Sequence, residues 1–227
     1  MIKKTFSLSL IVMLLFSING FAQKSKKQTK VSISTSYGDM TLVLYNETPR
    51  HRDNFIKLVK SGFYDGTLFH RVIAGFMIQG GDPDSKTAKK GQMLGNGGPG
   101  YTVPAEFNKK FTHKRGALSA ARMGDGSNPQ KASSGSQFYI VQGKTWKPGE
   151  LKSLESKIQA QFPDFAYTEE MKTHYSEIGG TPFLDMNYTV FGLVIDGLDI
   201  LDSIASVKVA SGNRPVEDVK FTVEVLK

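Results

Sequence analysis

The chain of 227 residues contains no cysteine, one tryptophan and four histidines. Without cysteine there is no disulfide framework, no thiolate-bound metal and no lipid on a cysteine near the N-terminus. Histidine does not replace it: His51, His70, His113 and His174 show no ligand spacing on one helix face, so no metal site is expected. A Ser/His/Asp set is also missing, since Ser119 and Ser136 stand in strand-like runs without a strained nucleophile turn. There is no internal repeat and no heptad run, so a monomer is expected. The longest apolar stretch, Phe6 to Ile18, is short for a bilayer span and includes Ser7, Ser9 and Ser17.

That stretch follows Lys3 and Lys4 and precedes Asn19-Gly20-Phe21-Ala22, a pattern that suits a signal peptide over 1–22 with cleavage before Gln23. The alternative is an uncleaved anchor. Cleavage predicts an exported protein, periplasmic or secreted, with no membrane span left and with a core that must hold it together unaided. Formal charge is +8 and falls to +6 once Lys3 and Lys4 leave. Lys24, Lys26, Lys27 and Lys30 then make 23–30 a solvated basic tether. No aromatic residue interleaves it, so nucleic acid is not an expected partner.

From Val31 the pattern is that of one domain, 31–227. Val31 to Tyr37 and Met40 to Tyr45 alternate as a hairpin turning at Tyr37-Gly38-Asp39. Thr48-Pro49 opens a helix that Gly62 ends. Strand character returns over Thr67 to Ile73, Phe76 to Gln79, Gly116 to Ala121, Gln137 to Gln142, Thr189 to Ile195 and Asp218 to Leu226, with a helix from Leu198 to Ala205. Many strands with few helices predict a mainly β fold, a closed antiparallel barrel. Between about 144 and 180, Leu151, Leu154, Ile158 and Phe162 recur at helical spacing, as do Met171, Tyr175 and Ile178 before Gly179-Gly180. These predict two amphipathic helices.

One segment carries the chemistry. In Phe69-His70-Arg71-Val72-Ile73-Ala74-Gly75-Phe76-Met77-Ile78-Gln79-Gly80-Gly81-Asp82 a single guanidinium lies between two apolar runs and is answered by one amide. As strands these runs put Arg71, Ile73, Gly75, Met77 and Gln79 on one face, an apolar pocket with hydrogen-bond donors at its rim. This segment, with Gly116 to Ala121, Gly135-Ser136-Gln137-Phe138-Tyr139-Ile140 and Tyr188-Thr189-Val190-Phe191-Gly192, resembles the signature of cyclophilin-type peptidyl-prolyl cis-trans isomerases.

The resemblance implies a closed eight-stranded barrel capped by two helices, to which the 144–180 segment is a helical insertion. It implies isomerase activity on X–Pro bonds in proline-containing peptides and unfolded chains, with no cofactor. Arg71 is implied as the catalytic residue. Phe76, Met77, Tyr139 and Leu184 would form the proline pocket. Gln79, Ala121, Arg122, Gln137, Phe183 and Tyr188 would form the rim and hold the substrate main chain, Ala121 and Arg122 through their backbone. A non-catalytic proline-peptide binding or chaperone module is the alternative.

Four positions depart from the common pattern. Tyr139 replaces phenylalanine and brings a hydroxyl that needs a partner. Phe183 replaces tryptophan and loses an indole donor, so cyclosporin, the family's immunosuppressant ligand, is expected to bind weakly. Tyr188 replaces histidine, and Arg122 replaces asparagine. Gly95-Asn96-Gly97-Gly98-Pro99-Gly100 matches a dinucleotide-binding pattern by letter, but Pro99 and the extended Tyr101 to Pro104 stand where that motif must open a helix. It is read instead as a loop beside the peptide groove.

Overall fold

The computed structural model describes residues 27–227. The leader-like segment and the start of the basic stretch lie outside the described residues. Lys30, the last residue of the expected tether, already opens the first strand.

Strands β1 (Lys30–Thr35) and β2 (Gly38–Leu44) form the hairpin, with Thr35 opposite Gly38. The turn is therefore Ser36-Tyr37, one step earlier than the glycine suggests. Helix α1 (Pro49–Lys60) starts at Thr48 as expected, yet the Thr48 side chain makes no capping bond. Glu106 takes that role: its carboxylate accepts the backbone N–H of Arg50 at 3.1 Å and of His51 at 3.0 Å. An acceptor is needed there because the first N–H groups of a helix have no partner within it.

The remaining strands and α-helices are β3 (Thr67–Leu68), β4 (Arg71–Ile73), β5 (Met77–Gly80), β6 (Thr102–Val103), β7 (Ala117–Ala120), β8 (Ser133–Ser134), β9 (Phe138–Val141), α2 (Pro148–Gln159), α3 (Glu169–Glu177), β10 (Val190–Asp196), α4 (Leu198–Ala205) and β11 (Lys220–Val225). Nine strands make one antiparallel sheet in the order β3-β11-β1-β2-β10-β7-β9-β5-β4, and β6 pairs with β8 apart from it.

The expected closed eight-stranded barrel is thus corrected to an open, curled nine-stranded sheet. The reason lies in the run from Thr67 to Ile73. Its first half pairs with β11 and its second with β5, and Phe69-His70 interrupts the ladder between them. The two sheet edges are consecutive parts of one segment, so the covalent chain completes the curl where hydrogen bonds do not.

Alternation along the strands sends side chains to two faces. Phe138, Ile140, Leu118 and Ile78 enter the main core, where α1 contributes Phe55, Leu58 and Val59 and α4 contributes Leu201, Ile204 and Ala205. Tyr139, Val141, Ala117 and Met77 point the other way and form a second cluster with Phe76, Leu184 and Tyr188.

The insertion has a core of its own, in which Leu151, Ile158, Phe165, Tyr167 and Tyr175 gather with Met186, Phe107 and Trp146. Ile178, expected in that apolar stripe, is 53% exposed, because α3 ends one residue earlier and the chain turns away through Gly179-Gly180. Gly180 bridges to both Lys114 and Lys144 and roots the insertion on the sheet. Among the described residues no helix is long and apolar enough to cross a membrane.

Candidate active site

A row of residues crosses the outer face of the sheet. Arg71 on β4 stands opposite Gln79 on β5, Gln79 opposite Tyr139 on β9, and Tyr139 opposite Ser119 on β7. Cross-strand neighbours on one face meet directly, and from Arg71 and Gln79 a chain of side-chain hydrogen bonds leaves the row through Gln137. Arg71 Nη1 donates to Gln79 Oε1 at 3.1 Å, and Gln79 Nε2 donates to Gln137 Oε1 at 3.0 Å. Gln137 Nε2 then donates to the carbonyls of Gly95 and Gly97 at 2.9 and 2.8 Å. Each amide has one donor end and one acceptor end, so the direction of the chain leaves Arg71 as its terminal donor.

The same glycine loop is held from below by Asp82, which is fully buried and accepts the N–H of Gly95 at 2.5 Å and of Gly97 at 3.3 Å. A Cβ at position 97 would collide with that carboxylate, which accounts for the glycine. The loop borders an open hollow of about 530 Å³ together with Gln79, Ala121, Arg122 and Gln137.

Beside the row lies a cavity of about 110 Å³ lined by Arg71, Phe76, Met77, Gln79, Ala121, Arg122, Tyr139, Leu184 and Tyr188. All four expected pocket residues and Arg71 are brought together there. Phe183 and Gln137 are not part of it. Phe183 is 45% exposed and leans on the outer side of Phe76, ring centres 5.7 Å apart, with Trp146 of the insertion 5.9 Å beyond. The nearby indole does not restore a donor to the rim, since Trp146 Nε1 already donates to Gly180 O at 2.9 Å.

Three features were not anticipated. The Arg122 side chain, not its backbone alone, builds the site: its guanidinium lies 4.4 Å from the centre of the Tyr188 ring and donates to Asn187 O at 2.9 Å. A cation over an aromatic face is a stable packing, and both groups line the cavity. The Ala121 backbone is already committed, its N–H to Gln137 O at 3.0 Å and its C=O to Ser134 N–H at 2.8 Å. The Tyr139 hydroxyl finds its partner in His113 Nε2, 3.0 Å away. Burial, with Tyr188 adding to it, pushes that hydroxyl well above the usual tyrosine range, so it stays protonated. Because His113 is 26 positions from Tyr139, no local pattern could reveal the pair.

A family model for cyclophilin-type peptidyl-prolyl cis-trans isomerases matches residues 30–225. A Staphylococcus aureus protein named as a peptidyl-prolyl cis-trans isomerase is 39% identical over 193 residues, covering 85% of this chain and 88% of its own length. A Streptococcus pyogenes protein named as a bifunctional phosphatase/peptidyl-prolyl cis-trans isomerase is 41% identical over 200 residues, and the match spans only 38% of that longer protein. Among solved structures, a Cryptosporidium parvum cyclophilin-type peptidyl-prolyl cis-trans isomerase superposes with TM-score 0.62 at 26% identity, covering 88% of this chain and 99% of that one. The same protein, crystallised in the presence of the dipeptide Ala-Pro, gives TM-score 0.60.

Proposed function

Because this chain belongs to the cyclophilin-type peptidyl-prolyl cis-trans isomerase family, we propose that Arg71 carries the reaction and that the adjoining cavity takes the proline ring. Rotation about an X–Pro bond meets a barrier of ~20 kcal/mol, because the amide's partial double bond is lost on the way. At the twisted geometry the proline nitrogen regains a lone pair and can accept a hydrogen bond that the planar amide cannot. A donor placed there lowers the barrier selectively. A guanidinium suits the task, since it keeps its charge at every working pH.

The reading rests on one observation: Arg71 is the terminal donor of an amide chain and lines a cavity walled by Phe76, Met77, Leu184 and Tyr139. No base, nucleophile or metal enters the step. With Ala121 already bonded, a substrate strand would pair with the Arg122 backbone and run toward the Gly95–Gly97 loop. Titrating an Ala-Pro peptide into ¹⁵N-labelled protein tests this arrangement. Shifts should centre on Arg71, Gln79, Tyr139 and the glycine loop; shifts confined to α2 and α3 would contradict it.

We further propose that 1–22 is a cleaved leader and that the enzyme assists the folding of exported proteins as a monomer. Lys3-Lys4, the apolar run, Gly20 and Ala22 support the leader. N-terminal sequencing of the cellular protein should begin at Gln23, and an intact Met1 in the cytosolic fraction would contradict it. Cyclosporin is expected to bind weakly, because Phe183 lacks an indole donor and Trp146 has spent its own.

A further inference from the structure

Behind the proposed proline pocket, the Tyr139 hydroxyl is tied to the insertion by an unbroken line of hydrogen bonds. His113 Nε2 lies 3.0 Å from Tyr139 Oη, and His113 Nδ1 lies 2.8 Å from Asp185 Oδ1. That oxygen also accepts the His113 backbone N–H at 2.7 Å. The other carboxylate oxygen accepts the hydroxyls of Tyr167 at 2.8 Å and Tyr175 at 2.6 Å, the latter from α3 of the insertion. All five side chains belong to residues no more than 5% exposed.

The network has one consistent direction. Four donors converge on Asp185, whose carboxylate acts as the acceptor, so a neutral His113 ring carries its hydrogen on Nδ1 and presents a bare Nε2. Tyr139 must then donate to Nε2. With its hydrogen committed to His113, the Tyr139 hydroxyl has none left to donate into the cavity that this residue lines.

We propose that the insertion is a working part of the proline pocket, with Tyr167 and Tyr175 as positioning residues that hold Tyr139 through Asp185 and His113. This rests on the reading of Tyr139 as a pocket wall. Removing one insertion hydroxyl loosens Asp185, frees the imidazole to exchange tautomers, and lets the Tyr139 hydroxyl seek a partner inside the cavity. The ring then tilts into the space the proline needs.

The test uses Tyr167→Phe and Tyr175→Phe, which keep the packed rings and remove one donor each. Each is made in the native chain and in a Tyr139→Phe background. Two quantities are read: kcat/KM on an Ala-Pro peptide, and the ¹⁵N shifts of the His113 ring. In the native background kcat/KM should fall about threefold to tenfold, and the His113 signals should move away from the Nδ1–H form. In the Tyr139→Phe background the same changes should alter kcat/KM by less than about twofold, because no hydroxyl remains to be misplaced. Equal losses in both backgrounds, no loss in the native one, or unmoved His113 signals would each overturn the proposal. Tyr139→Ala separates this from the underlying reading: if it leaves kcat/KM unchanged, Tyr139 is no pocket wall, whatever His113 does.

Discussion

In the role proposed for it, Arg71 can stabilise a twisted amide only if its guanidinium is aimed, and the side chain that holds it is Gln79. Its Oε1 holds Arg71 Nη1 while its Nε2 is held in turn by Gln137, so the amide cannot flip without breaking both bonds. Gln79→Ala should therefore lower kcat/KM about tenfold in an NMR exchange assay while leaving the thermal midpoint nearly unchanged. Gln79→Glu should be worse despite its similar shape. A carboxylate would claim the guanidinium as an ion pair and would face Gln137 Oε1 with no donor to offer it. If the glutamate variant matched the native enzyme, the bond from Gln79 to Gln137 would have no part in aiming Arg71.

At the scale of elements, two contacts across long stretches of chain set where α1 starts and where the insertion is rooted. Glu106 accepts two backbone N–H groups of α1 and lies 2.7 Å from His51 Nδ1, while Ser133 lies 2.9 Å from the other ring nitrogen. Glu106→Ala should cost about 1–3 kcal/mol in urea unfolding; a cost below about 0.5 kcal/mol would mean that solvent caps the helix equally well. At the insertion's root, a Cβ on Gly180 would lie 2.5 Å from both His113 O and Tyr175 Cε1. Gly180→Ala should destabilise by about 2–4 kcal/mol, and native stability in that variant would contradict the close packing. Periodicity made much of this level legible. Helix α4 occupies the expected Leu198–Ala205, and α2 and α3 fall inside the expected insertion. What periodicity could not supply were partners far apart in the chain: Glu106 is 55 positions from His51, and Asp185 is 72 from His113. The sheet's opening at Phe69-His70 was hidden for a related reason, since a run of strand-forming residues does not say which neighbour each half will pair with. The row of Arg71 and Gln79 was readable because it needs only alternation on two adjacent strands and their register.

For the molecule as a whole, the absence of disulfides leaves stability to the core, and burial of imidazoles makes it depend on pH. Burial lowers the pKa of His51 against the pull of Glu106, and lowers that of His70 against the pull of Asp82. Both bases resist protonation when folded and accept it when unfolded, so the unfolded chain binds more protons between the lowered values and about 6.5. Stability should be full above that upper value and decline as pH falls below it. His51→Gln should flatten the fall in thermal midpoint across that window, and an unchanged slope would show that His51 does not contribute. The central claim concerns function, and NMR exchange in an Ala-Pro peptide tests it most directly, with native protein and Arg71→Ala compared at matched concentration. Rapid exchange with the first and a loss of about a hundredfold or more with the second, both proteins being equally folded, is the predicted result. Equal exchange with both would contradict the role given to Arg71, and no acceleration by the folded native protein would leave a proline-binding module instead of an enzyme.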